Sequence, residues 1–385
     1  MRSSSIVVTS IFILGLVLSP RSNAQTVPAN YVLQWSDNFT GGVLDATKWN
    51  YRTDVKSYSA QLPANISLDS SDHMNISLQQ QSFAGKSFTG GGVVSKTSFR
   101  YGLYVVQAMT TANPGWHTSF WLYAGNGATT YVPTSFTEID DFEINSDTPT
   151  SISMGVIEWA NGSPTSGGPG RCNAAYKPGF NTAAGFHTYG VEWTEQQVNY
   201  YLDDFTTPIC SQAYPATEYT HDLLNIWLTS IGYTSDISVI NNPSPASFTN
   251  VAYYVRDYYI GNNEPGYAEY GSGWNASSLP GFSSLPSRYS CDAGASATWT
   301  PTILAAGNYD VWVYRISNSG SDPDAQLTIV YNGGQATQSL NYTSGTSGWV
   351  ELGTYPFAVG SQGFLKNTNS GSGCTRTSMV KFVRQ

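Results

Sequence analysis

Across its 385 residues the chain carries 17 Lys and Arg against 26 Asp and Glu, a formal net charge of -9. With no basic stripe to displace counterions from a phosphate backbone, a nucleic-acid partner is excluded, and strongly sulfated polymers are disfavoured on the same ground. The length allows two or three domains.

In chain order, Met1 and Arg2 precede an apolar run from Ile6 to Leu18 that ends in Ser22-Asn23-Ala24. This is the pattern of a cleavable secretory signal over residues 1–24. The run is too short for a comfortable membrane span of roughly 20 residues, so an exported, extracellular chain is expected, with no membrane partner and a monomeric state. Export makes the four cysteines candidates for pairing, Cys172 with Cys210 and Cys291 with Cys374, with buried free thiols as the alternative. Sequons at Asn38, Asn65, Asn75, Asn161, Asn275 and Asn341 offer glycosylation sites.

Residues 25–262 read as short strands separated by Gly, Pro, Asn and Ser. Alternating apolar residues recur in YGLYVVQAM, HTYGVEW, QVNYYLDD and AYYVRDYYIG. The stretch NNEPGYAEYGSGW, residues 262–274, marks a boundary. A second strand series over residues 268–385 includes GNYDVWVYRI, AQLTIVYNGG and MVKFVRQ. Long segments of helical periodicity are missing. The fold class is therefore all-β and sandwich-like, a large domain followed by a small one.

Within the first series, TEIDDFE places Glu138, Asp140, Asp141 and Glu143 within six consecutive positions. A regular strand sends Glu138 and Asp140 to one face and Glu143 to the other. A one-residue β-bulge between Asp140 and Glu143 restores Glu143 to the face of its neighbours, with the outer Cα atoms roughly 13 Å apart. Side chains leaning together could then bring the two carboxyls to about 5 to 5.5 Å, the separation that retaining glycosidases use. Three like charges on one face also drive their protonation equilibria apart, so that one remains an acid while another stays ionised. The competing explanation is an acidic, wet strand edge.

E-I-D-D-F-E resembles the bulged E-x-D-x-x-E signature of glycoside hydrolase family 16. WSDNFTGGVLDATKWNY from Trp35, GGVVSKTSFRYGLYVVQAM from Gly91 and GWHTSFWL from Gly115 are similar to that family's preceding strands, in the same order. The resemblance spans about residues 30–261. It implies a jelly-roll, concanavalin A-like β-sandwich with Glu138 as nucleophile, Asp140 as its support and Glu143 as general acid/base, while Asp141 faces away. The chain departs from the family at Asn38, at Val105 to Gln107 and in IWLTSIGY, residues 226–233.

A glycan cleft needs flat aromatic faces beside polar groups. Trp116, His117, Trp121, Glu158, Trp159 and Trp227 are the candidate substrate-binding residues, with Trp116 and Trp159 as favoured platforms; His221 is a further candidate for sugar hydroxyls. No histidine pair has metal-ligand spacing, and no cofactor motif is present, so neither metal nor cofactor is expected. In the second segment, ATWTPTILAAGNYDVWVY and GWVELGTYPFAVGSQG resemble the golvesin-like domain found at the C-terminus of xanthan lyases. That resemblance implies a smaller β-sandwich that binds carbohydrate or serves as a stabilising module. The expectation is a secreted, endo-acting, retaining hydrolase of a β-linked polysaccharide. A β-1,3- or mixed-linkage glucan is favoured over a galactan such as agar, and a transglycosylase or a non-catalytic glycan-binding protein is the alternative.

Overall fold

The computed structural model describes residues 27–28, 30–56, 58–127, 135–167, 172–240 and 244–385. The expected signal segment lies outside them. Among the described residues there is no α-helix, only strands, turns and two short 3₁₀ turns.

Two sheets form the first body, as the all-β reading expects. One runs Cys210–Ala213, Gln197–Leu202, His187–Trp193, Gly102–Met109, Ala246–Val255, Met74–Ile76 and Ile66–Leu68, with Val32–Asp37 also paired to Ala246–Val255. The other runs Ser163–Gly167, Ile152–Ala160, Ser135–Asn145, Trp116–Tyr123, Leu224–Gly232, Thr89–Phe99 and Trp49–Tyr51. The sheets pack face to face as a jelly-roll sandwich. Alternate residues meet between them, as where Phe142 lies 4.3 Å from Tyr189, ring to ring. Ile139, Phe142 and Ile144 from one sheet and Tyr104, Val106, Tyr189 and Val191 from the other are fully buried there.

The strands from Tyr258 onward build a smaller body. Its two larger sheets run Tyr258–Ile260, Val380–Arg384, Gly307–Arg315, Gly348–Phe357 and, separately, Tyr267–Tyr270, Ser296–Trp299, Phe364–Thr368, Ala325–Tyr331, Gly334–Leu340, and a third joins Asn275–Ser277, Ser287–Ser290 and Thr375–Thr377. The stretch AYYVRDYYIG is split between the two bodies. Its first half ends the strand Ala246–Val255, whereas Tyr258–Ile260 pairs with the last strand of the chain.

Both expected disulfides are present. Cys172–Cys210 links a segment beside the second sheet to an edge strand of the first, and Cys291–Cys374 closes an 83-residue loop in the smaller body. The sequon at Asn65 is not a glycan site in the folded chain. Asn65 is buried, and its amide donates to Thr89 Oγ1 at 3.0 Å and to the Gly90 carbonyl at 2.8 Å.

Charged side chains weld the bodies together. The Arg100 guanidinium, buried at the seam, grips both oxygens of Glu264 at 2.6 and 3.0 Å and donates to the His221 carbonyl. Glu195 accepts from Lys381 at 2.6 Å, Trp349 at 2.6 Å and Tyr259 at 3.1 Å.

Candidate active site

The acidic strand carries the bulge that its apolar spacing calls for. Against Trp116–Tyr123 the register runs Tyr123 to Glu138, Leu122 to Ile139 and Trp121 to Asp140, then jumps to Phe120 opposite Phe142, which leaves Asp141 without a partner. On the other side the pairing also jumps, from Ser153 opposite Glu143 to Gly155 opposite Asp140. Glu138, Asp140 and Glu143 consequently share one face with Tyr123, Trp121 and Ser119, while Ile139, Phe142 and Ile144 enter the core.

That face opens into a groove of about 360 Å³ lined by Arg52, Asp54, Lys56, Trp121, Tyr123, Phe136, Glu138, Trp159 and Trp227, among others. Trp121 and Trp227 lie 4.8 Å apart, with the Arg52 guanidinium over both rings at 5.7 and 5.6 Å. Asp54 holds Arg52 through two hydrogen bonds of 2.7 and 2.9 Å, and Lys56 lies 3.5 Å from Asp54. Farther along the strand, the Ser119 hydroxyl contacts Thr229 Oγ1 at 2.7 Å, and the Trp121 indole N–H donates to the same Thr229 oxygen at 3.3 Å.

Electrostatics divide the carboxyls. Burial, then the charge of Glu143, pushes Glu138 up to about 8, with Lys56, Arg52 and the Trp159 indole N–H pulling the other way. The Trp159 N–H points toward Glu138 without completing a hydrogen bond. Burial, then Glu138 and Glu143, raises Asp140 well above the usual carboxylate range, with no cation among the causes. The two cations near Glu138 favour its ionised form, whereas no cation offsets the burial of Asp140. Asp141 is raised by burial alone. It lies on the interior side, where its charge is felt by Tyr189 and Tyr200 of the opposite sheet.

Three expected binding residues lie outside the groove, Trp116 and Glu158 by strand parity and His221 by its place in the loop before Leu224–Gly232. Trp116 is fully buried with Phe120 and Leu122 on the core face, its N–H donating to the Ser238 carbonyl at 2.8 Å, so it offers no stacking surface. Glu158, one residue out of phase with Trp159, points inward. There it accepts from the hydroxyls of Ser135, Thr137 and Thr220 and from the Thr220 N–H. His221 is buried at the seam against Tyr101, and burial, then Arg100, pushes it down to about 3. Trp121, Trp159 and Trp227 do line the groove.

His117 stands on the groove face, 3.2 Å from Glu143. Sequence reasoning missed Arg52, Asp54 and Lys56. Their alternation in NYRTDVK would place them on one side of an extended segment, which was the available signal. Among the described residues, no group of three His, Cys, Asp or Glu could hold a metal ion.

Comparison with known proteins agrees with the sequence resemblance. Residues 47–229 match the family model Glycosyl hydrolases family 16, and residues 260–384 match Golvesin C-terminal domain. The chain thus carries a glycosyl hydrolases family 16 domain followed by a Golvesin C-terminal domain. It is 23% identical over 255 residues to a beta-glucanase of Bacillus licheniformis, covering 64% of this chain and 93% of that protein. Over 122 residues it is 31% identical to the endo-1,3-1,4-beta-glycanase EglC of Rhizobium meliloti (strain 1021), but this covers 31% of this chain and only 23% of that protein. A 92-residue stretch is 30% identical to a xanthan lyase of Bacillus sp. (strain GL1), covering 23% of this chain and 10% of that protein.

Proposed function

We propose that the chain is an exported, endo-acting glycoside hydrolase that cleaves a β-linked glucan, of β-1,3 or mixed linkage, with retention of configuration. The observation that carries this reading is the bulged strand, which turns Glu138, Asp140 and Glu143 onto one face while Ile139, Phe142 and Ile144 anchor it in the core. The relative named a beta-glucanase supports the choice of glucan, and the leader pattern with the two disulfides supports export.

In the first half-reaction the Glu138 carboxylate attacks the anomeric carbon while Glu143 gives its proton to the departing glycosidic oxygen, leaving a glycosyl ester on Glu138. In the second, Glu143 takes a proton from the water that breaks this ester. Asp140, buried on the same face with no cation beside it, supports Glu138 as the negative charge comes and goes. Trp121, Trp159 and Trp227 supply faces on which sugar rings stack.

The test is a reducing-sugar assay on laminarin, mixed-linkage glucan, agarose and carrageenan, with Glu138→Gln as control. Release from a glucan that falls by at least about a thousandfold in the variant is expected. Undiminished release by the variant would overturn the assignment of Glu138, and release from agarose alone would overturn the choice of glucan.

A further inference from the structure

We infer that His117 is a positioning residue for proton transfer by Glu143, an inference that rests on the catalytic reading above. His117 and Asn145 are cross-strand partners, and Glu143 precedes Asn145 by two residues, so all three side chains share the groove face. Asn145 Oδ1 lies 2.8 Å from His117 Nδ1, and an amide oxygen only accepts, so Nδ1 carries a hydrogen. The opposite ring nitrogen, Nε2, lies 3.2 Å from Glu143 Oε1, and because Nδ1 already carries a hydrogen this contact attracts an Oε1 acceptor when Nε2 is protonated as well, in the imidazolium form. Tyr233 stacks on the imidazole with centroids 5.2 Å apart and planes 22° apart. Two edge contacts and one face contact fix the ring, because any rotation about its axis breaks both polar contacts together.

The contact engages one oxygen of Glu143 and leaves Oε2 to give and take the reaction proton. Among the described residues His117 is the charged or polar side chain within ion-pair distance of the Glu143 carboxyl, which is a quarter exposed and would otherwise sample several rotamers. In the first half-reaction the Oε2 proton moves to the glycosidic oxygen as the C1–O bond breaks and the Glu138–C1 bond forms. In the second, water loses a proton to Oε2 as its oxygen bonds C1 and the ester electrons return to Glu138. A fixed carboxyl keeps Oε2 at one place through both steps, which is where proton transfer gains its advantage.

The experiment compares two substrates of the full chain. A polymeric glucan needs its leaving oxygen protonated; a 2,4-dinitrophenyl β-glycoside of the corresponding disaccharide does not. For His117→Ala, kcat and kcat/KM on the polymer should fall about thirtyfold with KM nearly unchanged, while kcat/KM on the dinitrophenyl glycoside stays within about threefold. His117→Gln, whose amide can still reach Oε1, should recover part of the loss. An equal loss on both substrates, as a folding defect gives, or a change confined to KM, as a sugar contact gives, would overturn the inference. An active protein that depends on Glu138 but is indifferent to His117→Ala would overturn this inference alone. A wild-type protein inactive on both substrates would overturn it together with the catalytic reading.

Discussion

Two regions of this molecule bury acidic side chains, and they do so in opposite ways. At the seam between the bodies two half-buried carboxylates each have a cation: Glu264 meets Arg100 through two hydrogen bonds, and Glu195 meets Lys381. In the groove, Asp140 is buried with one oxygen unpaired, and Glu138 is opposed only by the more distant Lys56 and Arg52. A carboxylate paired with a cation ties two elements together and contributes to structure. An unpaired one is costly to ionise, which destabilises the fold and leaves a group whose proton can move. The difference separates a weld from a reactive site within one chain of low charge density.

The contrast can be broken first at the seam. Glu264→Gln leaves the Arg100 guanidinium buried without a counter-charge and should cost about 3 to 5 kcal/mol, read as a lowered midpoint in chemical denaturation. A change under about 1 kcal/mol would show that the seam is not where the bodies are held. Removal of the smaller body should likewise lower the melting temperature of the remaining sandwich, since Tyr258–Ile260 and the Arg100 contact go with it.

In the groove the sign reverses. A carboxyl whose folded pKa lies above its unfolded value stabilises the native state below the unfolded pKa, and that contribution is lost as pH rises through the folded pKa. For Glu138 the window runs from the ordinary value of 4.5 up to about 8. Glu138→Gln should therefore raise the melting temperature by a few degrees at pH 8 and by little at pH 4. Asp141→Asn should behave in the same direction without loss of turnover, because burial alone raises Asp141 and it faces away from the groove. Melting curves at the two pH values, with a matched activity assay, check both variants. Destabilisation at pH 8 would contradict the account of the unpaired carboxyls.

The smallest effect belongs to Lys56, half exposed at the groove rim and screened by solvent. Its charge favours ionised Glu138, so Lys56→Gln should move the acid limb of kcat/KM to higher pH by a few tenths of a unit, and less in high salt. A shift to lower pH would reverse the assigned electrostatics.

Much of this was legible in the strand pattern. The apolar residues Ile139, Phe142 and Ile144 demand the bulge, because without it Phe142 and Glu143 would exchange faces. Parity also separates Trp121 from Trp116 and Trp159 from Glu158, once Phe120 and Leu122 are taken as core markers. Reading each tryptophan by its chemistry instead of its phase put Trp116 and Glu158 in the groove. Arg52, Asp54 and Lys56 come from a segment some 85 residues before Glu138, and no local periodicity places them beside it. The seam was illegible for the same reason, since Arg100, Glu195, Glu264 and Lys381 meet only through tertiary packing.

The most direct measurement is trapping with an activated 2-deoxy-2-fluoro β-disaccharide, followed by mass spectrometry of the digested protein. The account predicts one stoichiometric glycosyl adduct on Glu138, absent in Glu138→Gln. An adduct on Glu143, or a product released with inverted configuration and no adduct, would contradict it.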